Sequence, residues 1–184
     1  MDMKKDGMVS LSLGTLLRGI LYHVMCLLAT LGILSVVSGQ LGAFLAEIPA
    51  LILVTVLPYR TFYQAGFRDY NKLQYEQIRR DPLKGLKAAL IGYCPFILAS
   101  VAVVLARVGV LPEGYLPFYR LINAPFLPLM QSLIPTGLTF AEVPVAQVVL
   151  AALTCLVLPL AAGLGYRLGL DRVPSPFERK KKGR

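Results

Sequence analysis

Two ionisable side chains interrupt otherwise apolar stretches, and any chemistry inside this chain starts with them. His23 falls within residues 19–37 and Glu47 within residues 41–59. A titratable group in hydrocarbon is costly to place, so each is a functional candidate. They do not form a pair. In an antiparallel hairpin turning at Gln40, Glu47 comes level with Gly32 or Ile33, and His23 lies about 14 Å further along the axis at 1.5 Å per residue. Glu47 either sits at the outer interface or faces the bundle as an ion or proton site, or as a partner for Arg107 or Arg120. His23 reads as a polar contact between helices, with a proton relay as the sharper alternative.

Other chemistry is hard to build from this residue set. No HExxH, GxSxG, Walker A or dinucleotide glycine pattern occurs, and a single histidine cannot make a multi-histidine metal site. Asp69, Glu76 and Asp81 are spread along one charged connection, without the paired burial of an acid/base couple. Cys26, Cys94 and Cys155 lie in apolar runs with no CxxC spacing, which reads as three small buried hydrophobes. The expectation is a non-enzymatic protein without cofactor or metal.

Positive charge is the remaining chemical feature. The net charge is +9, but the basic residues come in short clusters between apolar stretches. That arrangement belongs to membrane topology and excludes a nucleic-acid groove. Arg68, Lys72, Arg79 and Arg80 in one connection, and Lys180, Lys181 and Lys182 in the tail, are candidate contacts for anionic lipid headgroups. Each near-surface Lys or Arg is worth about 1 kcal/mol in such contacts.

The elements that hold these residues follow from hydropathy. With 56% apolar and 16% charged residues in 184, a soluble domain could not hide its apolar surface, whereas lipid solvates it. About 20 apolar residues cross a bilayer as a helix. The pattern predicts an all-α integral membrane protein with four spans at about 16–38, 41–60, 84–107 and 141–167, one domain over residues 1–170. The polar start, with no A-x-A site, suits an uncleaved first span. Seventeen of nineteen Lys and Arg fall before the first run, between the second and third, or after the fourth, which predicts both termini in the cytoplasm.

Boundary residues refine this picture. Asp81 followed by Pro82 predicts a helix start near Pro82, and Thr139 with Glu142 has the spacing of a capping box ahead of the fourth run, with Pro144 in its first turn. Pro95 and Pro159 should kink their spans. Residues 60–80 read as a helical extension of the second span that bends onto the membrane surface, with Gly66 as a break. Small residues at four-residue spacing, Ala88/Gly92, Ala102/Ala106 and Ala161/Gly165, allow close helix packing. Residues 108–138 hold Pro112, Pro117, Pro125, Pro128 and Pro135, which predicts an interfacial or re-entrant outer segment anchored at headgroup level by Tyr115, Phe118, Tyr119 and Phe126. Residues 171–184 read as a basic cytoplasmic tail held near anionic lipid.

Function is the least legible property. The first expectation is an accessory or scaffold subunit of a plasma-membrane complex, partnered by the bilayer and by another membrane protein. The second is a small transporter or substrate-binding subunit, with a cavity under the outer segment lined by Glu47, Tyr93, Asn123 or Gln131.

Overall fold

Prolines decide where the long apolar runs give way, because each removes one N–H and crowds the carbonyl four residues earlier. The computed structural model describes residues 3–37, 39–112, 114–133 and 140–173, and among these it is helical with no strand. Helix α1 (Met3–Val36) is uninterrupted. Gly39, at φ 76°, turns the chain into α2 (Gly39–Leu51). The hairpin is tight: a Cβ on Gly42 would stand 1.9 Å from the carbonyl oxygen of Val37.

Helix α2 passes through a π turn at Ile52–Val56 into α3 (Leu57–Gln74). That wide turn contains Val54, the residue whose carbonyl Pro58 would crowd. Helices α4 (Lys84–Gly92) and α5 (Cys94–Arg107) meet at 65° across Tyr93, two residues before Pro95. Helices α8 (Val145–Leu153) and α9 (Val157–Leu170) join through a 3-10 turn at Thr154–Leu156, four residues or so before Pro159 takes effect. Between α5 and α8 lie α6 (Tyr115–Ile122), a 3-10 turn at Ala124–Phe126, α7 (Leu127–Leu133) and a 3-10 turn at Phe140–Glu142.

Three helices, Gly7–Val36, Leu41–Gln74 and Val145–Leu170, are long and apolar enough to cross a membrane, and the bent α4–α5 pair makes a fourth if it is one span. Their outward faces stay apolar. Leu13, Leu17 and Leu28 are 55%, 61% and 65% exposed, an exterior suited to lipid rather than water.

Several boundaries differ from the sequence reading. Helix α1 starts at Met3 instead of near residue 16, and the second long helix runs straight on to Gln74. Gly66 is therefore no break. It is a contact point, where a Cβ would stand 2.1 Å from the carbonyl oxygen of Tyr166. Asp81 accepts from the Leu83 amide at 3.1 Å but is not the cap: the N-cap is Leu83, without a side-chain bond, and α4 begins at Lys84. Glu142 closes a 3-10 turn, and Pro144 precedes α8 with ψ 136°, outside the helix. Cys94 is exposed because it opens α5 at the bend, while Cys26 and Cys155 are buried.

Helices α3 and α9 pack backbone to backbone. Cβ atoms on Gly165 and Gly169 would lie 2.2 Å and 2.1 Å from the carbonyls of Tyr59 and Tyr63. Gly92 of α4 meets the carbonyl of Ser12 on α1 in the same way, at 2.2 Å. Such approaches permit van der Waals packing where lipid supplies no hydrophobic drive between helices. The fold thus has two poles. One carries the start of α1, the α3–α4 turn and the end of α9, and the other carries the α1–α2 turn and the proline-rich segment.

Candidate functional site

At the first pole, residues of α1, α3, the α3–α4 turn and α4 line a groove of about 930 Å³. Five cations line it: Arg18 from α1, Arg68 and Lys72 from one face of α3, Arg79 from the turn, and Lys84 from α4. Its walls also include apolar side chains such as Leu13, Leu16 and Ile91. Arg18 and Arg68, with Thr61, line a second space of about 550 Å³ as well, so they stand between the two.

The two carboxylates of the groove are already engaged. Asp69 accepts at Oδ2 from Lys84 Nζ at 2.6 Å and from the Tyr166 hydroxyl at 2.7 Å. Asp81 is paired with Lys87 at 3.2 Å. Arg18, Arg68, Lys72 and Arg79 form no ion pair among the described residues. Among the described residues, four positive charges therefore face one groove without a bound counter-ion, an arrangement that attracts anions.

Of the headgroup candidates read from sequence, Arg68, Lys72 and Arg79 arrive together. Arg80 does not join them, since it is bound to Asp171 at 2.6 Å. Lys180, Lys181 and Lys182 lie outside the described residues. Arg18 and Lys84 are distant in sequence from that cluster; the packing of α1 on α4 brings in Arg18, and the bond to Asp69 of α3 brings in Lys84.

His23 is occupied at both ring nitrogens. The carbonyl of Gly19 can only accept, so Nδ1 donates to it at 2.7 Å, and Nε2 accepts from the Tyr93 hydroxyl at 3.1 Å. Phe96 stacks on the ring with centroids 4.2 Å apart. The residue joins α1 to the α4–α5 bend.

Glu47 is not bonded to Arg107. Arg107 donates to the carbonyl of Val143 at 2.6 Å, and both carboxylate oxygens of Glu47 are buried without a hydrogen-bonding partner.

The outer segment packs into the bundle through part of its apolar side chains. Tyr119, Phe126 and Met130 pack with Phe140, Val143 and Val148 in one apolar cluster. Tyr119 and Phe126 therefore point inward and do not anchor at headgroup level, whereas Phe118 is exposed and Tyr115 reaches the Ala99 carbonyl at 3.3 Å. Asn123 donates to Thr154 Oγ1 at 3.0 Å and Tyr93 is 1% exposed. The side chain of Gln131 lies outside the described residues. The chain matches no protein-family model, no curated protein and no solved structure.

Proposed function

We propose that this chain is a multi-pass protein of a bacterial-type plasma membrane, with four spans and both termini cytoplasmic. It serves as a non-enzymatic accessory subunit of a membrane complex, and its groove at the cytoplasmic pole holds an anionic lipid headgroup. One observation carries the reading: Arg18, Arg68, Lys72 and Arg79 converge unpaired on a groove with apolar walls. A phosphate ester meets the cations while its acyl chains continue along the exposed leucines of α1. At about 1 kcal/mol per cation, four such residues amount to roughly a thousandfold preference over a neutral lipid. Retention of phosphatidylglycerol and phosphatidylcholine, compared by native mass spectrometry after detergent extraction from mixed vesicles, tests it. Selective retention of the anionic lipid, lost in Arg68→Ala/Lys72→Ala and kept in Arg80→Ala, is the expected result. Equal retention of both lipids would remove the proposal.

A small transporter or substrate-binding subunit is the second reading. It draws on Glu47, an unpaired carboxylate inside a candidate span and under the outer segment.

A further inference from the structure

Hydroxyls in these helices satisfy themselves on the preceding turn. Ser12 bonds the Met8 carbonyl at 2.9 Å, Thr15 the Leu11 carbonyl at 2.8 Å and Ser100 the Phe96 carbonyl at 3.0 Å. Thr30 differs from them. It is fully buried, and its hydroxyl oxygen has no hydrogen-bonding partner. On the facing helix both carboxylate oxygens of Glu47 are equally shielded and unpartnered.

These oxygens belong to one neighbourhood. Cys26, one turn before Thr30 on the same face of α1, is fully buried and within electrostatic range of Glu47. Glu47 stands near the level of residues 32–33 in the α1–α2 hairpin, so Thr30 is nearer to that level than Cys26 is. The Ala124–Phe126 turn packs on α1 and α2, and α7 packs on α2, which closes the neighbourhood from the outer side.

A bare carboxylate is poorly tolerated in such surroundings unless its charge is balanced. Cys26 is the titratable group facing it from α1. Ile52–Val56, Ala124–Phe126 and Leu127–Leu133 contribute no titratable side chain at all. Among the described residues these elements bring no cation to Glu47, which leaves a bound proton or metal cation to balance it. We infer that Glu47 and Thr30 form a buried site for one monovalent cation, a proton or a sodium ion, beneath the proline-rich outer segment. A single carboxylate balances a single charge. No group of three His, Cys, Asp or Glu among the described residues offers the richer ligand set of a divalent metal. Oxygen ligands beside interrupted helices suit small hard cations and protons.

Reaction of the full-length protein in detergent with dicyclohexylcarbodiimide separates the occupants. The reagent takes the proton of a neutral carboxyl on its nitrogen and the carboxylate oxygen on its central carbon, and the adduct rearranges to a stable N-acylurea. Tryptic mass spectrometry locates the modified carboxyl. Glu47 is expected to be modified at neutral pH in sodium-free buffer. Modification insensitive to sodium identifies a proton site. Protection by about tenfold with excess sodium, and not with choline, identifies a sodium site. Thr30→Val should alter the modification rate or the protection, and an unchanged response would strike Thr30 from the site. Glu47 unmodified at neutral pH, together with a melting temperature indifferent to sodium, would overturn the inference.

Discussion

The hydroxyl of Tyr166 donates to Oδ2 of Asp69 at 2.7 Å, on the same oxygen that Lys84 reaches at 2.6 Å. One carboxylate thus ties α9, α3 and α4 together beneath the basic groove. Asp69 is 8% exposed, so its charge relies on these two donors instead of water.

Removing them should have unequal effects. Tyr166→Phe takes away one hydrogen bond to a charged group and should cost about 2 kcal/mol of stability. Lys84→Met leaves the carboxylate buried and short of its counter-charge, and should cost about 3–5 kcal/mol. Chemical unfolding of each variant in detergent micelles checks the order. Equal losses would mean that Asp69 is hydrated at this pole.

Helix α3 and helix α9 touch through glycines, and alanine substitution measures how close they are. Cβ atoms on Gly66, Gly165 and Gly169 would lie 2.1–2.2 Å from main-chain oxygens of the opposite helix. Backbone cannot rotate away as a side chain does, so each Ala variant should lose about 1–3 kcal/mol or fail to fold. Gly14→Ala is the control, because nothing lies within 4 Å of its Cβ position and alanine favours the helix. Melting temperatures in detergent separate the two outcomes. Stable Gly165→Ala and Gly169→Ala proteins would exclude this packing.

Helix ends repeat one motif with different residues. At the ends of α3, α5 and α9 the chain closes with paired bonds, such as Gln77 N–H to the Lys72 carbonyl at 3.1 Å and Val110 N–H to the Leu105 carbonyl at 2.9 Å. The left-handed position is Gly109 in α5, but Glu76 at φ 56° in α3 and Arg172 at φ 58° in α9. A Cβ at such a φ costs roughly 1 kcal/mol. Glu76→Gly should therefore stabilise the protein by about 0.5–1 kcal/mol, read as a raised unfolding midpoint. No gain would mean that Glu76 holds the turn by a contact of its side chain.

The same comparison shows what sequence could reveal. Gly109 follows its helix with the expected residue, whereas nothing in the composition around Glu76 announces a left-handed turn. The apolar runs, the hairpin and the prolines are local signals, and so the helices, the bend near Pro95 and the 3-10 turn ahead of Pro159 could be read directly. Gly66 could not, because its meaning lies in α9, a hundred residues away, and a lone helical glycine looks like a weak point until its neighbour is known. The site shows the same division. Arg68, Lys72 and Arg79 are close in sequence and read as a cluster, but Arg18 joins them only through the packing of α1 on α4, and Lys84 through its bond to Asp69. Glu47 was visible as a charge in an apolar run, while the missing partner of Thr30 has no sequence signature.

Tyr119 tests whether the outer segment is built into the bundle. Burial pushes its phenol up to about 12, against the opposing pull of hydrogen bonds from Ser100, Asn123 and Thr154. Its hydroxyl donates to the Ala151 carbonyl at 3.0 Å, beside the 3-10 turn of the last span. The fold therefore favours the protonated phenol. The stability this contributes is fully present below the unfolded value of about 10 and is lost as pH rises toward the folded value. Wild type should lose stability between those limits more steeply than Tyr119→Phe, measured as unfolding midpoints in detergent. Ultraviolet titration gives an independent reading. Wild type and variant should ionise the same number of tyrosines below the onset of unfolding, because the buried Tyr119 phenol stays protonated there. One fewer phenolate in the variant near pH 10 would place Tyr119 in water and detach the proline-rich segment from the helices it is described as covering.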